Sequence, residues 1–96
     1  MDASGKILSQ IIDCFTYTTS RELDACGLRC PLPLLKAKLA LRDMNPGEVL
    51  RVLTTDGGSV RDFQAYAQLS GHVLMAFTEK DGIYCYLLKK PAVNPA

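Results

Sequence analysis

The sequence predicts an α/β (α+β) two-layer sandwich, in which a mixed four-stranded sheet carries two helices on one face. Three observations carry that expectation. Segments of strand character alternate with segments of helical periodicity, in the order β-α-β-α-β-β after an N-terminal extension. The helical segments open at Pro or Ser and close at stops that contain Gly. An Asp81-Gly82 pair, a strong hairpin signal, separates the last two strand-like runs. The two β-α units imply right-handed crossovers, and the closing hairpin is antiparallel.

The extension comes first. Ile7, Leu8, Ile11, Ile12 and Phe15 fall on one stripe of a helix over 4–15, with Ser4 as its cap. This stripe is expected to pack on the chain's own sheet; the other reading is a helix that docks a partner. Phe15 to Thr19 then reads as extended chain. Arg21 to Ala25 is a short strand with Leu23 inward, ended by Gly27. Cys30-Pro31-Leu32-Pro33 opens the first helix, because proline suits a first turn that needs no N–H. Leu34, Ala37, Ala40, Leu41 and Met44 form its core stripe, with Leu35 and Leu39 as a second apolar edge, and Asn45-Pro46-Gly47 stops it.

Glu48 to Thr55 is apolar and β-branched, as a buried strand should be. Asp56-Gly57-Gly58 is a turn. Ser59 and Asp62 have capping-box spacing, with Asp in place of Glu. The second helix runs to about Ser70, with Val60, Phe63, Tyr66 and Ala67 on one face and Gly71 as its stop. Val73 to Thr78 and Ile83 to Leu88 are strands joined by Glu79 to Gly82. The domain reading is therefore an extension over 1–20, one folded unit over 21–90 and a frayed tail over 91–96.

Bulk properties narrow the function classes. A chain of 96 residues fits one domain with a thin core. Its hydrophobic share of 48% argues against disorder. A formal net charge of +1 is low for a protein that lives on phosphate contacts, so no direct nucleic-acid binding is expected. No apolar run reaches the ~18 residues that span a bilayer, and no secretory pattern opens the chain. The four cysteines, Cys14, Cys26, Cys30 and Cys85, are then expected to be reduced thiols in the cytoplasm. They are not spaced as zinc ligands, even with His72. Neither a metal nor an organic cofactor is expected.

Cys30 is the residue with chemistry to offer. A helix N-terminus has unpaired N–H groups and a positive dipole end, which favour a thiolate. Arg29 and Lys36 add positive charge nearby. Pro31 and Pro33 remove two donors but stiffen the turn that presents Cys30. On these grounds alone, a reactive thiol and a mere helix cap are equally good readings.

The run Leu23-Asp24-Ala25-Cys26-Gly27-Leu28-Arg29-Cys30-Pro31-Leu32-Pro33 resembles the signature of the TusA family of sulfur carriers, also called SirA-like or YhhP-like. The likeness continues through Pro46-Gly47-Glu48, Arg61-Asp62, Gly71-His72 and Lys89-Lys90. It implies the same two-layer sandwich. It also implies that Cys30 accepts sulfane sulfur as a persulfide from a cysteine desulfurase or rhodanese. The sulfur then goes to an acceptor protein, toward tRNA thiolation, molybdenum-cofactor chemistry or sulfur oxidation. Apart from the resemblance, a monomer is expected. Pro31, Pro33, Arg29, Arg61 and Asp56 are the implied supporting residues. The Asp56-Gly57-Gly58 turn departs from the Asp-Pro found in many members.

Two other readings stay open. One is an interaction or regulatory module that needs no nucleophile. The other is a thiol–disulfide redox protein with Cys26 as the resolving partner of Cys30, against the plainer reading of Cys26 as a small buried residue at a strand end. Cys14 and Cys85 are expected to be packing residues, Asp62 a helix cap, and His72 a structural hydrogen-bonder rather than a base for Cys30.

Overall fold

Side chains that alternate between the two faces of each strand, and three-to-four-residue spacing in the helices, set the architecture of this chain. The computed structural model describes residues 13–91. The elements are β1 (Arg21–Asp24), α1 (Leu32–Arg42), β2 (Val49–Thr54), α2 (Ser59–Ser70), β3 (Val73–Lys80) and β4 (Ile83–Lys89). The sheet runs in the order β1-β2-β4-β3. β1 pairs with β2 in parallel, while β2–β4 and β3–β4 are antiparallel. The last strand thus inserts between β2 and β3.

Both helices cover one face of the sheet. The register stacks Leu23 opposite Val52, Leu50 opposite Leu88, and Val52 opposite Tyr86. Ala37, Leu41 and Met44 of the α1 segment and Phe63 of α2 close over Leu50, Val52, Tyr86 and Leu88 to make the main core. Phe63 and Tyr86 stack with ring centroids 4.4 Å apart. The Tyr86 hydroxyl is satisfied by Ser59 Oγ at 2.7 Å, and burial pushes its pKa up to about 12. Leu35 and Leu39, the second apolar edge of α1, stay exposed.

The hairpin is tighter than the sequence suggests. Glu79 and Lys80 belong to β3, and the loop is only Asp81 and Gly82, both at positive φ (53° and 83°). A two-residue loop of this kind matches the twist of its strands. Gly71 closes α2 in the left-handed conformation, φ 83°. The orphan carbonyls at the end of α1 are met by Lys90, whose Nζ lies 2.7 Å from the Met44 oxygen and 3.3 Å from that of Arg42.

The second face of the sheet is covered in part by the segment before β1. The helix expected over 4–15 lies mostly outside the described residues, as does the tail beyond Pro91. Phe15 to Thr19 does not form the extended chain its pattern suggests. Asp13 makes a turn instead: its carbonyl accepts from Thr16 N and Tyr17 N, and its Oδ1 accepts from Phe15 N. An Asp side chain that bonds the backbone two residues on outweighs weak strand propensity. The turn buries Cys14 against Val49, Cys85 and Leu87. Each of the two thiols donates to the other residue's carbonyl at 3.2 Å. Arg51 Nε donates to the Cys14 carbonyl at 2.9 Å, and Arg51 also bonds the Tyr17 carbonyl.

Two further local expectations fail. Ser59 and Asp62 form no capping box: the residue before α2 is Gly58, with no side-chain cap, and Ser59 is buried against Tyr86. Cys26 is exposed rather than buried, because β1 ends at Asp24 and Ala25 takes the inward position. His72 is half-buried, with Nδ1 3.0 Å from Ser70 Oγ.

Candidate functional site

The loop between β1 and α1 is tied to the end of β2 at several points. Ala25 N donates to the Leu53 carbonyl at 2.7 Å, and Gly27 N to Thr55 Oγ1 at 2.9 Å. Gly27 has φ 85°, a turn conformation that glycine adopts without cost. Cys30 N donates to Asp56 Oδ2 at 2.6 Å. Asp56 also accepts from Gly58 N at 3.4 Å and carries Ser59 N on its carbonyl at 3.1 Å. Asp56 therefore locks the cysteine loop to the start of α2.

Cys30 precedes the helix rather than capping it. The residue before α1 is Pro31, joined to Cys30 by a cis peptide bond. Few N–H groups remain for a sulfur anion there. Pro31 and Pro33 have none, Cys30 N is held by Asp56, and Leu32 N is taken by the Arg29 carbonyl at 2.8 Å. Pro33 is fully buried, so it packs in the core as well as shaping the turn.

The exposed Cys30 thiol faces a cavity of about 500 Å³ lined by Gly57, Gly58, Val60, Arg61, Asp62 and Gln64. Gly58 is close by: a methyl group there would sit 3.7 Å from Cys30 Cβ. The Cys30 thiol donates to Asp62 Oδ2. That bond, then burial and the charges of Asp62 and Asp56, hold the thiol above the ordinary value, with Arg61 opposing.

This reverses the expected electrostatics. The sequence points to a depressed thiol pKa from the helix end, Arg29 and Lys36. In the fold, Arg29 and Lys36 are exposed and lie outside the cavity lining, and two carboxylates outweigh Arg61.

Of the residues singled out in the sequence, the fold brings Arg61 and Asp56 to Cys30 and leaves Cys26 out of the cavity lining. Cys26 N bonds Asp24 Oδ1 at 3.0 Å, and burial with that neighbouring carboxylate raises its thiol pKa. Asp62 is the residue sequence reasoning misassigned. Its signal was the Arg61-Asp62 pair, which capping-box spacing explained away. Among the described residues there is no group of three or more His, Cys, Asp and Glu that could hold a metal, and no helix long and apolar enough to cross a membrane.

The role of Asp56 can be checked on its own. Asp56→Ala removes a charge-assisted bond to Cys30 N and one to Gly58 N, and should cost about 1–2 kcal/mol, discounted for partial exposure. Denaturant midpoints measure the loss. Stability equal to the parent chain would remove Asp56 from this role.

Comparison with known proteins bears on the same region. The model of the family described as sulfurtransferase TusA matches residues 21–90. The sulfur carrier protein TusA of Allochromatium vinosum is 51% identical over 70 residues, which cover 73% of this chain and 92% of that protein. The TusA of Pseudomonas aeruginosa is 36% identical over 77 residues, covering 80% and 98%. The crystal structure of a SirA-like protein from Desulfitobacterium hafniense superposes with a TM-score of 0.67 at 30% identity, covering 74% of this chain and 97% of that one.

Proposed function

The chain belongs to the TusA sulfurtransferase family, and from that premise we propose that it is a cytoplasmic sulfur carrier that holds sulfane sulfur as a persulfide on Cys30. It acts as a monomer between two proteins. A cysteine desulfurase or rhodanese loads it, and an acceptor protein unloads it, toward tRNA thiolation, molybdenum-cofactor chemistry or sulfur oxidation.

The observation that carries this reading is the placement of Cys30. Its thiol is exposed on a loop fixed to two other elements, beside a cavity with room for a further sulfur atom. Cys14 and Cys85 are fully buried, and burial raises the thiol pKa of both, that of Cys85 to about 12. They have neither access nor thiolate character.

Transfer is an exchange of one sulfur–sulfur bond for another. The thiolate of one cysteine attacks the terminal sulfur of the other's persulfide, one S–S bond forms as one breaks, and the donor leaves as a thiolate. Arg61 at the cavity rim supplies a positive charge for the anionic forms along this path.

The test is a mass measurement. After incubation with cysteine and a cysteine desulfurase, the intact chain should gain one sulfur atom that a reductant removes. Peptide mapping should place that sulfur on Cys30. A chain that gains no sulfur, or gains it on another cysteine, would overturn the proposal.

A further inference from the structure

A carboxylate bonded to the sulfur is an unexpected neighbour for a group that must become an anion. Asp62 stabilises the S–H form of Cys30 and repels the thiolate. A carrier sulfur has two opposite tasks. It is the nucleophile when sulfur arrives and the leaving group when sulfur departs. A proton on Sγ hinders the first task, and its absence hinders the second.

The charged groups around the pair are few. Asp56 faces Cys30 from the loop after β2, but its carboxylate is already engaged by Cys30 N and Gly58 N. Arg61 flanks Asp62 on α2. On the other side of Asp62, Lys38 of α1 and Tyr66 of α2 line the groove between the helices, with Lys38 Nζ 5.3 Å from the Tyr66 ring. Among the described residues, Asp62 is the carboxylate hydrogen-bonded to Cys30 Sγ, and it is half-buried at the cavity edge.

We propose that the Asp62 carboxylate is the proton relay for the Cys30 sulfur, taking the thiol proton as Sγ attacks and handing it back as Sγ leaves. The proposal rests on the carrier reading above. In loading, the Cys30 proton passes to Asp62 as Sγ bonds the terminal sulfur of a protein hydropersulfide. The donor's S–S bond breaks and the donor leaves as a thiolate. Cys30 now carries a hydropersulfide and Asp62 a neutral carboxyl. In unloading, an acceptor thiolate attacks the terminal sulfur and the Cys30 S–S bond breaks. The Asp62 proton goes to Sγ, which leaves as a thiol rather than as a thiolate beside two carboxylates. No electron is gained or lost in the sum, and both steps conserve charge.

Asp62→Asn separates this role from a purely electrostatic one, because the two predict opposite signs. Removing the negative charge lowers the Cys30 pKa, and a less basic thiolate leaves faster. Electrostatics alone therefore makes sulfur release faster in the variant. Loss of a proton donor makes it slower, by about 10²-fold at the low end of general acid–base effects. The experiment loads both chains with a cysteine desulfurase and cysteine, then follows sulfide release to dithiothreitol. Iodoacetamide labelling against pH, on unloaded chains, confirms that the thiol stays accessible and titrates lower in the variant.

Faster labelling with slower sulfur release supports the relay. Release that is unchanged or faster overturns it and leaves Asp62 as a modulator of thiol acidity. Labelling and release that are both slower overturn it in favour of a packing role. A wild-type chain that takes up no sulfur overturns the carrier reading itself, and the relay with it.

Discussion

The Cys30→Ala chain is expected to take up no sulfur from a desulfurase while keeping the stability of its parent. The side chain is exposed, and its removal leaves the core untouched. What it removes is the thiol that faces the cavity. The remaining cysteines do not substitute for it. Cys14 and Cys85 lie on the far face of the sheet from the helices, each bonded to the other residue's carbonyl. Cys26 is exposed but outside the cavity lining, beside the Asp24 carboxylate. Cys26→Ala should therefore load at the parent rate. Intact mass after incubation with the donor reads both variants. Sulfur uptake by Cys30→Ala would move the carrier site elsewhere, and loss of uptake in Cys26→Ala would bring the two-cysteine redox reading forward.

Phe63→Ala should have the largest effect on the fold, about 3–5 kcal/mol, from lost burial and the cavity left behind. Phe63 is fully buried and stacked on Tyr86, and it joins α2 to the centre of the sheet. Total stability for a domain of this size is about 5–15 kcal/mol, so this loss is a large share of it. Denaturant unfolding measures it through a lower midpoint at unchanged slope. A loss under about 1 kcal/mol would show that the helices are held by other contacts. The site would suffer with the fold, since α2 carries both Arg61 and Asp62.

Local pattern accounts for much of this protein. The order of elements, the stop at Gly71, the Asp81-Gly82 turn and the helix opened at Pro31 and Pro33 all follow from backbone preferences within a few residues. The place of Cys30 just before the first helix was legible for the same reason, because Pro-x-Pro marks a strand–helix junction.

Local pattern misled where another side-chain hydrogen bond won, one of them local and one distant. Asp13 overrode the strand-like residues that follow it, and Ser59 was drawn from the helix cap into the core by Tyr86. Only the tertiary structure decided that Asp62 bonds the sulfur, 32 residues away in sequence, and that Asp56 holds the Cys30 backbone. The sheet register and the packing of α2 set those distances. The charge around Cys30 then follows from which side chains arrive there, and two carboxylates outweigh the one arginine that joins them.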